Sequence, residues 1–440
     1  CPYIGGITIR PQAGAVALSV TGANATGTIN VDGASNITFD GRAGGVGLSQ
    51  LTIENTSLTG YALQFINGAR FNTLRFCTVR GVNTGTTSGV IVFSTATGLP
   101  LGNGNNTIDN CDIRDGTTTP TNLIFATGTT ITYNTQNNNV TISNCLIHDW
   151  FNASSTTAGA GINVTTGCSD WTITNNSFYQ SVARTFTMTT ATDQGAIFIN
   201  STVFGFNFTI TNNFVGGSTP LCAGAPWTYT GGATGTPTPR LIRISTSIGT
   251  PFNTISNNTI RNIAITSSSA STSHGLISHL NGNININNNT IGSQSALNDI
   301  TFTLASTSTA PFFLPISSGT GASVSMINIT NNNIGGINVS SSSGGAVSLR
   351  VIYAQPPALS KVTVSGNTIG GTVANSIRQQ TGGATAGNGL LAGIMILNPT
   401  IGDVVTNNIL RNLTQDNTSA GGSLSGISSL ISLPTERTLQ

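Results

Sequence analysis

Residues 254–260 read TISNNTI, and the pattern apolar, polar, Asn, Asn or Cys, polar, apolar recurs along the chain. It stands at 107–113 (TIDNCDI), 141–147 (TISNCLI), 172–178 (TITNNSF) and 209–215 (TITNNFV). It continues at 286–291 (INNNTI), 329–334 (ITNNNI), 364–369 (VSGNTI) and 405–410 (VTNNIL). Two weaker copies precede these, TIENTSL at 52–58 and TLRFCTV at 73–79. Centred on the middle residue, the copies fall at 55, 76, 110, 144, 175, 212, 257, 288, 331, 366 and 407. A unit that repeats while its spacing varies is a solenoid with loops that absorb insertions.

Between the copies lie short, Gly-led apolar runs such as GVIVFS from Gly89, GAIFI from Gly195 and AGIMIL from Ala392. Each coil therefore carries a strand, a turn, a second strand, an Asn corner and a short third strand. Asn tolerates the left-handed backbone of a sharp bend better than most residues. Coils stacked one β spacing apart, about 4.8 Å, let corner amides bond up and down the stack. The ladder is assigned to Asn110, Asn144, Asn175, Asn212, Asn257, Asn288, Asn331 and Asn407. The flanking Ile, Val and Phe point inward, and their burial at about 25 cal/mol per Å² drives folding. The fold class is an all-β, right-handed parallel β-helix of about eleven coils, roughly 50 Å long. Residues 1–440 read as one such domain, a segment of a longer protein with a cap or linker at its ends.

Composition agrees. Charged residues are 6% of the 440, the net charge is +2, and Lys361 is the only lysine. Glu, Lys and Gln are scarce while Thr, Val, Ile, Asn and Gly abound, which favours strands and turns over helices. No basic run marks a nucleic-acid partner. No apolar stretch is long enough to span a membrane as a helix. Cys1 at the start fits a lipidated bacterial lipoprotein, but a start inside a longer exported protein is preferred.

Cys77, Cys111 and Cys145 occupy one motif position in three successive coils and should stack as small buried hydrophobes. Cys168 and Cys222 lie in loops of nearby coils and are a candidate disulfide. Neither set has zinc-site spacing. His274 and His279, five apart in strand-like sequence, should face opposite sides and share no metal. Tyr179, Trp227 and Tyr229 read as loop packing. No cofactor is called for. Calcium is the one ion such a fold invites, and no motif supports it.

The densest charge lies at Asp109, Asp112, Arg114 and Asp115, with His148 and Asp149 one coil on. Aligning the copies stacks Arg80, Arg114 and His148 in one column, with Asp115 and Asp149 beside it. Asp112, Arg114, Asp115, His148 and Asp149 are thus the candidate catalytic residues, as paired carboxylates with a basic partner acting on carbohydrate. Trp150 and Phe151 would be the sugar-stacking surface. The plainer and preferred reading is a ladder of surface ion pairs.

The stretches INVDGASNITFDGR (29–42), LTIENTS (51–57), TISNNTI and ITNNNIGG resemble the β-helix regions of very large secreted surface proteins of Bacteroidota. The resemblance covers nearly the whole chain. It implies secretion or display on the bacterial surface, contact with the type IX secretion machinery during export, and an adhesin-like role. Surface glycans or other copies and domains of the same fibre would be the partners. The sorting domain of such proteins is not among these residues. The function expected is a non-catalytic structural or adhesive module. The alternative is a polysaccharide lyase or glycoside hydrolase, since this fold carries both. An ice-binding or phage-fibre role ranks lower, because the regular Thr array an ice face needs is not evident in the sequence.

Overall fold

The computed structural model describes residues 5–430 except 97, 154–157, 188–191, 232–236, 268–272, 305–310, 320, 322–324, 342–345, 382–388, 401 and 418–421. The reading of Cys1 therefore lies outside the described residues. Three parallel sheets of twelve strands each and a fourth of seven wind into a right-handed parallel β-helix. The described residues form twelve coils, in keeping with the expected number of about eleven. The first two, whose leading strands are Ile7–Ile9 and Ile37–Asp40, carry no copy of the Asn motif.

Inward positions stack like on like. In the first sheet Leu74, Ile108, Ile142, Ile173, Ile210, Ile255, Ile286, Ile329 and Val364 stand in register. In the third sheet Ile91, Ile124, Ile162, Ile197, Ile242, Ile277, Ile316, Ile352 and Ile394 do the same. Nearly all are fully buried, so each contributes on the order of 2 kcal/mol. This periodicity fixes the register, because a slip of one residue would turn each row outward.

The Asn corner divides two tasks between neighbours. Asn110, Asn144, Asn175, Asn212, Asn257, Asn288, Asn331 and Asn407 all hold the left-handed bend, with φ between 52° and 58°. Their side chains are exposed, so they are the bend and not the ladder. The ladder is one residue on, at Asn176, Asn213, Asn258, Asn289, Asn332, Asn367 and Asn408. Each Nδ2 up to Asn367 donates to the Oδ1 of the next coil's Asn at 2.9–3.0 Å. A left-handed residue followed by a right-turning strand sends its own side chain out and the next one in. Phe76 (φ 51°) and Gly366 (φ 68°) make the same bend without an amide. Asn55 does not belong here. It ends the second-sheet strand Leu51–Asn55, where Thr52 pairs with Thr78, so TIENTSL is a strand after the corner.

Cys77, Cys111 and Cys145 occupy the ladder position in the earlier coils. Cys145 Sγ accepts from the Cys111 amide at 3.4 Å, and the Cys145 amide donates to Asn176 Oδ1 at 2.9 Å. The thiol column therefore runs straight into the amide column. Cys168 and Cys222 are both buried free thiols, not a disulfide. Cys168 is a strand residue paired with Asn137, and Cys222 points its thiol to the Thr259 carbonyl.

The fourth sheet begins at Arg184–Phe186 and adds one strand to every later coil, starting with Trp227–Gly231 and Ile263–Ser267. Trp227 and Tyr229 are therefore buried strand residues rather than loop residues. The widened interior needs large side chains. Trp150, at 0% exposure, stands edge-on to Trp227 and Phe178, and Phe151 packs on Phe186. These residues fill the step where the coil widens, which removes Trp150 as a sugar-stacking platform. His274 and His279 are also buried, in register with Phe313 and Ser318. Leu276 and Ile277 are consecutive and both buried, so the in–out alternation slips by one between them, and the register to Leu314 and Ile316 is kept without an inserted residue.

A Thr row is present after all. Thr38, Thr73, Thr107, Thr141, Thr172, Thr209 and Thr254 stand in register on the outer face of the first sheet. The motif opens on this Thr in most copies, but only the coil alignment turns it into a file.

Candidate functional site

The strands Asp112–Asp115 and Leu146–His148 lie side by side in the second sheet, with Arg114 paired to Arg80 on one side and to His148 on the other. The column expected from the motif is therefore real, and it extends to Glu54 and Tyr179. All five candidates come together.

His148 is the centre. Its Nε2 lies 3.0 Å from Asp112 Oδ1 and its Nδ1 lies 2.8 Å from Asp149 Oδ2. Its ring stacks on Tyr179, with centroids 4.5 Å apart. Burial pulls the imidazole pKa down, but the two carboxylates outweigh this and raise it to about 9. The ring is thus a cation that donates from both nitrogens. Burial pushes Asp149 upward, yet hydrogen bonds from His148, from the Ser181 hydroxyl (2.7 Å) and from the Ser181 amide (2.9 Å) hold it at about 2.

Arg184, which sequence reasoning missed, closes the network. Its Nη2 meets Asp149 Oδ1 at 2.7 Å and its Nε donates to Gln180 Oε1 at 2.7 Å. It belongs to the fourth sheet, so no motif spacing could place it beside Asp149. Arg114 Nε lies 3.3 Å from Asp112 Oδ2, and Arg80 pairs with Glu54 at 2.9 Å. Asp115 lies beside these charges without bonding to them. Burial, then the nearby Asp149 charge, raises its pKa, and it has no hydrogen-bond partner among the described residues.

A different face holds space. The outer side of the third sheet carries a small apolar cluster of Leu314, Tyr353, Ala392 and Met395, separate from the coil interior. Beside it lies a cavity of about 290 Å³ bounded by Arg240, Arg350, Phe312 and Tyr353. A second cavity, about 320 Å³, lies nearer the N-terminus and is bounded by Phe125, Asn163, Phe198 and Arg243. Neither was visible in the sequence, because the strands that meet there are 35 to 45 residues apart and carry no shared motif.

Among the described residues, no three His, Cys, Asp or Glu side chains converge on a metal position. Among the described residues, no helix is long and apolar enough to cross a membrane. The class defined is a right-handed parallel β-helix with an ionic ladder on one face and cavities on another. No protein family model, curated protein or solved structure matches the chain.

Proposed function

We propose that the chain is a non-catalytic structural and adhesive module of a secreted or surface-displayed bacterial protein, a rigid rod that presents binding surfaces along its length. The observation that carries this reading is the state of the candidate carboxylates. Asp112 and Asp149 each sit between two cationic side chains, and Asp149 is further held by Ser181. A general base must be free to take a proton, and a carboxylate held at about 2 by four hydrogen bonds is a poor one. Display on a Bacteroidota surface after type IX export goes with this reading and rests on the sequence resemblance. An ice face would need a second row of free hydroxyls. The neighbouring row is broken by Arg75 and Asp109, and its hydroxyls bond one another, as Thr211 does with Ser256.

Polysaccharide cleavage is favoured by one observation, the raised Asp115 carboxyl beside ionised Asp149, a pairing that suits acid–base chemistry. The test is to incubate the protein with plant, algal and bacterial polysaccharides, with and without calcium, and to measure new reducing ends, unsaturated products and retention of intact polymer. Retention without cleavage is expected. Product release that Asp115→Asn or Asp149→Ala abolishes would replace this reading with an enzyme.

A further inference from the structure

The geometry points to the cavity around Arg350 on the outer face of the third sheet as a binding site for an acidic sugar residue, carboxylated or sulfated, within a longer polysaccharide. This deepens the adhesive reading and rests on it.

The charge of the cavity comes first. Arg240 and Arg350 both border it, and among the described residues no carboxylate does. Arg240 is engaged with Asp193 at 3.5 Å. Arg350 has no carboxylate partner among the described residues, and its Nε is shut off from solvent without a hydrogen bond. In a chain where most arginines on strands are paired with acids, a half-buried guanidinium left over at a cavity wall lacks a counter-charge. Burial keeps His274 and His279 uncharged near neutral pH, the former at about 3 and the latter at about 4, so the arginines alone set the sign.

Shape and polarity select the sugar. The Arg350 guanidinium lies 3.9 Å from the Phe312 ring centre and 5.0 Å from that of Tyr353. The two rings hold its planar fork in place, which suits bidentate capture of a carboxylate or sulfate. The same rings, with Leu314, offer an apolar floor for the C–H face of a pyranose. Ser278 and Ser317, hydrogen-bonded to each other at 3.1 Å, and Gln355, which accepts from Tyr353 Oη at 2.6 Å, supply partners for ring hydroxyls.

Length follows from the register. Asn163, Phe198, Arg243, Ser278, Ser317 and Tyr353 form one continuous outward column through six coils. That column passes both cavities, with Arg243, paired to Asp193 at 2.7 Å, standing between them. A polymer lying along the rod axis would reach both, with its acidic unit at Arg350 and neutral units near Asn163 and Phe198.

The experiment is calorimetric titration of the full chain with oligogalacturonate, a sulfated carrageenan oligosaccharide and a neutral cello-oligosaccharide, with parallel retention of intact polymers on the immobilised protein. One or both acidic probes should bind at least about tenfold more tightly than the neutral one. Arg350→Ala should remove that preference, Arg350→Lys should keep part of it, and Arg378→Ala in the fourth sheet should leave it unchanged. Tyr353→Phe should retain most binding and Tyr353→Ala should not. Circular dichroism of each variant checks the fold. Equal binding of acidic and neutral probes, or acidic binding untouched by Arg350→Ala, overturns the site while leaving adhesion standing. Failure to retain any polymer, or cleavage of one, overturns the adhesive reading itself.

Discussion

Asn257 and Asn258 are neighbours with one amide each, and the structure predicts opposite consequences for removing them. Asn258 is fully buried. Its Nδ2 donates to the Ile210 carbonyl at 2.9 Å and to Asn289 Oδ1 at 3.0 Å. Its Oδ1 accepts from the Asn213 backbone amide and from Asn213 Nδ2, both at 3.0 Å. Asn258→Ala leaves the Asn213 N–H buried without an acceptor and strips one partner from Ile210. Orphaning the Asn213 N–H costs about 1–3 kcal/mol and the other three lost bonds about 1 each, giving roughly 4–6 kcal/mol in all. Asn257 is exposed and serves the bend at φ 55°. Asn257→Ala should cost about 1 kcal/mol, the left-handed penalty, and Asn257→Gly close to nothing. A long solenoid need not unfold in one step, so the readout should be local. Hydrogen exchange followed by mass spectrometry on peptides covering 209–215 and 254–260 provides it. Asn258→Ala should speed exchange there by about a hundredfold or more, and Asn257→Ala by under about tenfold. Equal effects, or a larger effect at 257, would refute the assignment of the ladder.

Arg184→Ala strips a partner from buried Asp149 and should cost about 3 kcal/mol in denaturant unfolding, against under about 1 for Arg80→Ala on the more exposed Glu54 pair. His148 is held above its ordinary pKa, so its contribution is complete below about pH 6.5 and fades as pH rises through about 9. Asp149 is held low, so its contribution is complete above about pH 4 and fades as pH falls through about 2. His148→Ala should therefore destabilise more at pH 6 than at pH 10, and the two urea midpoints measure it. Phe76→Asn should stabilise by up to about 1 kcal/mol by placing the preferred residue at φ 51°, less what is lost where Arg42 stacks on the Phe76 ring at 4.0 Å; a melting curve decides. Cys77, Cys111, Cys145, Cys168 and Cys222 are buried with burial-raised pKa values wherever a shift is resolved, so a thiol reagent should label none of them in the native protein and all after denaturation.

The solenoid was legible because its corner repeats in the chain: bend, inward polar residue and apolar flanks recur with the same offsets. The column of Arg80, Arg114 and His148 followed from aligning those offsets. What repeats less faithfully was lost. The fourth sheet has its own corner, with Asn262, Asn298, Asn375 and Asn412 at positive φ, but Gly336 stands in one coil and the strands differ in composition. Asn262–Ile263 and Asn412–Leu413 were the available signal. Missing that sheet hid Arg184 and misplaced Trp150, Trp227 and Tyr229. The ladder fell one residue off because a doubled Asn does not say which copy turns the chain. Only Cys77, Cys111 and Cys145, apolar and already set one place after the bend, marked the inward position.

The amide column gives the rod a direction. Every one of the six Asn–Asn links donates from the earlier coil to the later one. Their dipoles therefore add along the axis instead of cancelling, and each amide that donates forward becomes a better acceptor for the one behind it. A rod built this way is electrically a vector, with a head and a tail. Copies placed nose to tail reinforce one another, whereas copies packed side by side do so only when they run in opposite senses.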